Sequence, residues 1–136
     1  MAEIQRNITK QTKGMAAVYL VAAELSKKGC IVTTTARNAP SVDIIVASGN
    51  MKKAYNIQVK ASTQSYFLLR KEAKKMKSPF YLYVFVKSDD DFKNPIFYVV
   101  KSSKVAEKTK LYRSKGANWY YYEPTINDQN NWDIIK

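Results

Sequence analysis

The sequence predicts an α/β domain: a mixed central sheet flanked by helices. Three observations carry that prediction. The alanine- and leucine-rich stretch "GMAAVYLVAAELSKKG" closes on a glycine and reads as a helix. Three short β-branched or alternating runs follow, "CIVTTTA", "VDIIVAS" and "YNIQVKAS", and each reads as a strand. Further on, "FYLYVFV" is apolar on both faces, as a strand covered from two sides must be. Helices on the faces of a mixed sheet are the natural packing for that order.

The first helix is expected from Lys10 to Lys28, apolar nearly all round and therefore set broadly on the sheet. Gly29 stands where a left-handed cap belongs, and Lys27 and Lys28 suit the negative end of the helix dipole. Cys30, the single cysteine, excludes an intrachain disulfide and is expected as a buried thiol. The first strand then breaks at "ARNAPS", with Asn38 and Pro40 as turn residues. The second and third strands, residues 42–48 and 55–62, are joined by the hairpin connection "GNMKKA".

"YFLLRKEAKKMKSP" is expected as a short extended piece and a basic helix that Pro79 ends. In the next strand Phe80, Leu82, Val84 and Val86 face one layer, and Tyr81, Tyr83 and Phe85 the other. "KSDDDFKNP" reads as a solvated turn, "IFYVVKS" as a fifth strand, and "SKVAEKTKLY" as a helix with Ser102 or Ser103 as N-cap. The tail "WYYYEPTINDQNNWDIIK" is expected as a strand or loop and a short terminal helix held by Trp132 and Ile135. Its aromatics are expected to pack over the core rather than to stack on unpaired bases.

The 136 residues suffice for one domain, 1–136, with a core over about 10–101 and a C-terminal extension over about 102–136. No window approaches the apolar run of a membrane span, and no basic amphipathic helix stands out, so a membrane partner is not expected. The polar start "MAEIQRNITKQTKG" has no signal-peptide core, and the expected location is cytoplasmic. Charge is more informative. Lys and Arg number 23 against 11 acids, a formal +12, which points to a polyanion and most simply to nucleic acid.

The absence of histidine excludes Ser-His-Asp and Cys-His nucleophile systems, and with one cysteine it excludes a structural zinc site. No GxxxxGK[ST] or GxGxxG phosphate loop is present. Catalysis in this chain has to use carboxylates, lysines, amides or a hard, oxygen-liking metal.

One acid stands apart from the turns and helix surfaces. Asp43 lies inside the apolar run of the second strand, where a carboxylate is costly unless a positive group is near. Asn56, Gln58 and Lys60 share one face of the third strand, and a hairpin pairing would set Asp43 beside them. A carboxylate, an adjacent carbonyl or amide oxygen and waters can hold Mg²⁺, or Mn²⁺ in its place. Asp43 would be the ligand, the Val59 carbonyl and the Gln58 oxygen would assist, and Lys60 would stabilise charge on the attacked phosphate.

Over residues 14–62, the helix, a strand, "SVD" opening a second strand and "QVK" closing a third resemble the PD-(D/E)xK nuclease superfamily. The resemblance implies a restriction-endonuclease-like αβββαβ core and metal-dependent hydrolysis of DNA. It assigns Asp43 to the motif aspartate, Gln58 to the D/E position and Lys60 to the lysine. It also allows a homodimer, since nucleases that cut both strands often pair. Three departures stand out: Ser41-Val42 where a proline often precedes the aspartate, Gln58 for an acid, and Met15, Ala16, Ala17 and Val18 where members often carry a helix glutamate. Glu24 lies further along that helix.

Lys10, Lys13, Arg37, Asn38, Ser62, Thr63 and Arg70 are the expected phosphate contacts beside the site. Two other readings stand beside the endonuclease: a catalytically impaired DNA-binding protein of the same fold, and a small basic RNA- or ribosome-associated α/β protein.

Overall fold

Helix α1 spans Lys10–Lys27 in the computed structural model, which describes residues 9–35, 41–89 and 91–135. Thr9 caps its start by accepting the Thr12 N–H at 3.2 Å. At its end the Cys30 N–H donates to the Leu25 carbonyl (3.1 Å) and the Gly29 N–H to that of Ser26 (3.0 Å). This double closure requires a left-handed residue between them, and Gly29 supplies it with φ 85°. Cys30 is only partly buried at the rim of the core, and that burial pushes its thiol pKa up.

The five-stranded sheet runs β1 (Ile31–Thr34), β2 (Ile44–Ala47), β3 (Ala54–Ser62), β5 (Tyr81–Lys87) and β6 (Ile96–Lys101), in that spatial order. The first three strands form an antiparallel meander, β5 lies parallel to β3, and β6 returns antiparallel. Between β2 and β3, the Asn50 carboxamide accepts from the Ser48 hydroxyl (2.7 Å) and the Lys52 N–H (3.0 Å), which fixes the turn. Leu82, Val84 and Val86 of β5 pack with Ile44, Val46, Ile57 and Val59 against the buried stripe of α1: Ala17, Val18, Val21 and Leu25.

Tyr81, Tyr83 and Phe85 face the other way, as their alternation predicts, where Val105 of the second helix packs with them. A second sheet of three antiparallel strands covers them, in the order β4 (Phe67–Leu69), β8 (Ala117–Tyr122), β7 (Lys110–Ser114). Phe67 and Tyr122, paired across strands, set their rings 4.8 Å and 5.2 Å from Phe85. The β7–β8 turn is Lys115-Gly116, with φ 49° and 78°. Two positive φ values match the twist of a two-residue hairpin.

That sheet explains several departures from the sequence expectations. Helix α2 is Ser102–Lys108 and does not reach Tyr112, because "KLYRS" alternates as a strand and pairs with β8. Ser102 is not an N-cap but the first helical residue. Its buried hydroxyl donates to the Ser78 carbonyl (2.8 Å) and accepts the Ser78 N–H (3.0 Å). The basic helix before Pro79 is only a 3₁₀ turn, Lys71–Lys74, in which Ala73 alone is buried. Lysines three and four apart repel, and one apolar anchor cannot offset that.

Phe80 lies outside β5 and is 51% exposed, its ring 6.0 Å from Tyr55. The terminal helix is a pair of 3₁₀ turns, Ile126–Asp128 and Trp132–Ile134. Trp132 sits 5.7 Å from Phe97 under the Lys28 ammonium, and Ile135 is buried. Asp89 and Asp91 of the acidic turn are exposed, as expected. No described helix is long and apolar enough to cross a membrane.

Asp128 fastens the C-terminal segment. It is 2% exposed, and its carboxylate accepts from the Lys104 ammonium (2.6 Å), the Tyr122 hydroxyl (2.8 Å) and the Thr125 N–H (3.0 Å). Burial alone would raise its pKa, but Lys104, Thr125 and Tyr122 hold it below the ordinary 3.8. A carboxyl with a depressed folded pKa stabilises above its unfolded value and loses that contribution as pH falls through the folded one. Urea melts should therefore weaken below about pH 4 in the native protein, while Asp128→Asn flattens that dependence. Asp128→Ala, which strands a hydroxyl and an ammonium, is expected to cost about 3 kcal/mol at neutral pH.

Candidate functional site

β2 and β3 pair from Ala47↔Ala54 to Ile44↔Ile57, and there regular pairing stops. Asp43 is thus not inside the strand, as its apolar neighbours suggest, but on the bend just before it. Its backbone is held on both sides: its N–H donates to the Ile57 carbonyl (2.8 Å) and its carbonyl accepts the Thr35 N–H (3.0 Å). The Thr35 hydroxyl also donates to the Val42 carbonyl. Ser41, which leads into this bend, has φ 62°, a strained value for a serine.

So fixed, the Asp43 carboxylate takes the place of the missing strand. Its Oδ2 accepts the Val59 N–H at 2.8 Å. A residue in a strand sends its N–H and C=O to the same side. The Val59 carbonyl therefore leaves β3 toward the bend as well, where no β2 residue pairs with it. Asp43 is thereby set against the backbone between Gln58 and Lys60.

Those two side chains lie on the face of β3 opposite α1 and line one narrow cleft with Ser41, Arg70, Glu72, Tyr81 and Tyr83. The Tyr81 hydroxyl lies 3.0 Å from Gln58 Oε1 and also bonds the Ser41 carbonyl, so these acceptors compete with Tyr83 for its single proton. Burial raises the pKa of Tyr81, with Tyr83 and the Asp43 charge acting in the same direction. Burial, opposed by the hydrogen bond from Tyr81, raises that of Tyr83 too. Both stay neutral donors at any working pH.

Lys60 also opens onto a second, wider cleft of about 410 Å³, lined by Lys10, Lys13, Val59, Ser62, Thr63 and Asp89 among others. The first turn of α1 forms one wall, so the positive end of the helix dipole adds to those lysines. Burial lowers the Lys60 pKa; Asp43 opposes this, and Arg70 and Lys10 reinforce it. Asp43, Arg70 and Lys10 thus all act on the Lys60 ammonium, while Glu72 and Asp89 add an acid to the narrow and the wider cleft respectively.

Of the residues that the sequence nominates, Asp43, Gln58, Val59 and Lys60 are adjacent. Lys10, Lys13, Ser62 and Thr63 line the wider cleft, and Arg70 the narrow one. Arg37 and Asn38 lie outside the described residues. Glu24 is remote in role: it pairs with Lys27 (3.2 Å) and Lys28 (3.9 Å) on the surface of α1. Ala17 and Val18, where the resemblance would put a helix glutamate, are core residues.

Ser41, Glu72, Tyr81 and Tyr83 join the site although the sequence does not single them out. The alternation of Tyr81 and Tyr83 with apolar residues is the legible signal, since two hydroxyls on one buried face need partners. Among the described residues no three His, Cys, Asp or Glu side chains cluster as a metal site. The oxygen donors at hand are one carboxylate, a carbonyl and an amide, a set that suits a hard ion retaining most of its water.

No protein-family model matches the chain, and a comparison with curated proteins gives no significant match.

The Asp43–Val59 bond gives the carboxylate a structural role that is separable from its charge. Asp43→Ala leaves the Val59 N–H without its acceptor and is expected to cost about 1–3 kcal/mol, read as a lower urea midpoint. Asp43→Asn keeps an acceptor oxygen and should lose much less. Hydrogen exchange at the Val59 amide should quicken in Asp43→Ala alone.

Proposed function

We propose that this protein is a metal-dependent DNA endonuclease whose site is Asp43, Gln58 and Lys60. The observation that carries the reading is the Asp43 carboxylate bonded to the Val59 N–H, between Gln58 and Lys60, with Val59 and Lys60 themselves lining the wider cleft. The order α1-β1-β2-β3, with β5 parallel to β3, supports a restriction-endonuclease-like core of the PD-(D/E)xK type. The crossover between β3 and β5 departs from that pattern, being β4 and a 3₁₀ turn in place of a full helix.

Lys10, Arg70 and the first turn of α1 would draw the phosphodiester into the cleft and orient it. The Lys60 ammonium would face the phosphate and stabilise the charge that builds on it during attack. Tyr81 would hold the Gln58 amide in place. Asp43, the Val59 carbonyl and Gln58 Oε1 would hold Mg²⁺ or Mn²⁺, which would supply Lewis acidity and a more acidic water. Glu72, in the lining of the same narrow cleft, is a further acid that could compensate for glutamine at the second motif position.

One observation favours a second reading, a nuclease-fold protein that binds DNA without cutting it. Gln58 Oε1 is already engaged by Tyr81, and the motif residues bring one full negative charge to a divalent ion. A panel of linear, flap and junction DNA in Mn²⁺ separates the two. The endonuclease reading expects nicking that EDTA abolishes and that falls about 10²–10³-fold in Lys60→Ala. Asp43→Asn, expected to keep the fold, should be equally impaired. Cleavage undiminished in Lys60→Ala defeats this reading. Binding that ignores EDTA, with no cleavage on any substrate, establishes the second.

The pH profile is a further check. Because burial and neighbouring cations hold the Lys60 pKa below the ordinary 10.5, its charge is lost earlier than that of a surface lysine. Cleavage should decline on the alkaline side before about pH 10.5, and Lys60→Arg, charged throughout, should extend it.

A further inference from the structure

We propose that the outward face of the β4-β8-β7 sheet is a stacking platform for unpaired, single-stranded DNA. Alternation splits the aromatics of this sheet between two faces. Phe67 and Tyr122 point inward and complete the second core. Tyr112 and Trp119, directly opposite one another, point outward with Tyr121 and Leu68. Tyr66 meets Tyr121 edge-on at 6.0 Å. These side chains line an open groove of about 480 Å³. Trp119 is 48% and Tyr112 59% exposed, so core packing does not account for their size.

The character of the groove selects its occupant. It is built of flat rings with polar edges, and every base has a π-face that such rings can accept whatever the sequence. Lys110 stands on the same face, opposite Tyr121, and Lys115 makes the adjoining turn. Glu123 is the one acid of the lining, and the Ser65 hydroxyl donates to it at 3.3 Å. A net charge of +12 on each chain opposes a second copy here and favours a polyanion. A duplex keeps its base faces stacked on each other and cannot offer them to a sheet, so the ligand has to be unpaired. The segment from Ser62 to Arg70 contributes to all three hollows: Ser62 and Thr63 line the wider cleft, Tyr66 and Leu68 the groove on the outward face, and Leu69 and Arg70 the narrow cleft. The choice of DNA over RNA rests on the endonuclease reading of that site.

The test is fluorescence anisotropy of labelled oligo(dT), oligo(U) and blunt duplex DNA, in EDTA, with the native protein and surface variants. Trp119→Ala and Tyr112→Ala should each weaken oligo(dT) binding about 10-fold or more, with duplex affinity unchanged. Trp119→Phe, which keeps a ring, should retain most of the affinity. Circular dichroism melts confirm that the variants fold, as expected for exposed positions.

Equal oligo(dT) affinity in all variants overturns the proposal, as does tighter ring-dependent binding of oligo(U). A dimer seen by light scattering, dispersed by Trp119→Ala while oligo(dT) affinity is unchanged, assigns the face to a second copy and also overturns it. Because the measurement needs no metal, the two readings fail separately. Ring-dependent oligo(dT) binding by a protein that cuts nothing supports the platform and defeats only the endonuclease.

Discussion

Strand β5 is buried on both faces from Tyr81 to Val86, and the rest of the fold is arranged around keeping it dry. One face, of Leu82, Val84 and Val86, shares a core with α1 and the C-terminal Ile135; the other, of Tyr81, Tyr83 and Phe85, is closed by the second sheet and Val105 of α2. Burial at about 25 cal/mol per Å² makes those two covers the main source of stability. Parallel pairing then dictates where the chemistry lies. Gln58 sits beside Tyr83 and Lys60 beside Phe85, so the polar face of β3 is forced onto the aromatic side of the sheet. The covering sheet reaches Phe85, and the polar residues emerge at its margin, where two clefts meet at Lys60.

At that margin the regular ladder gives out. β2 ends at Ile44, and the carboxylate of Asp43 takes over the next N–H of β3, that of Val59. A buried N–H needs an acceptor, and here the acceptor carries a negative charge. The same contact therefore stabilises the sheet edge and places a carboxylate within electrostatic reach of Lys60. Lys10 and Arg70 add positive charge beside Lys60, against Glu72 in the narrow cleft and Asp89 in the wider one.

Much of this is legible in the sequence, and the remainder is hidden for identifiable reasons. α1 and its Gly29 closure are readable because a long helix with a glycine stop is a strong local pattern. Asp43 is conspicuous because a carboxylate among branched apolar residues is costly to bury unless a specific partner holds it. The second sheet is hidden because β7 follows α2 after a single residue, Thr109. Helical periodicity from Ser103 runs plausibly into Leu111 and Tyr112, and only pairing with β8 decides against it. The "SKGAN" turn, with its Lys-Gly pair, is the local signal of that hairpin. Glu72 and Tyr81 escape a sequence reading, since their nearness to Gln58 depends on a tertiary crossover and not on spacing along the chain.

In the proposed site, Asp43 and the Val59 carbonyl would seat a divalent ion beside Lys60. Anomalous scattering from crystals soaked in Mn²⁺ tests it most directly. The expected result is a peak about 2.0–2.2 Å from an Asp43 oxygen and from the Val59 carbonyl, absent in Asp43→Asn. Crystals that bind Mn²⁺ only elsewhere, or that show the same peak in Asp43→Asn, would contradict it.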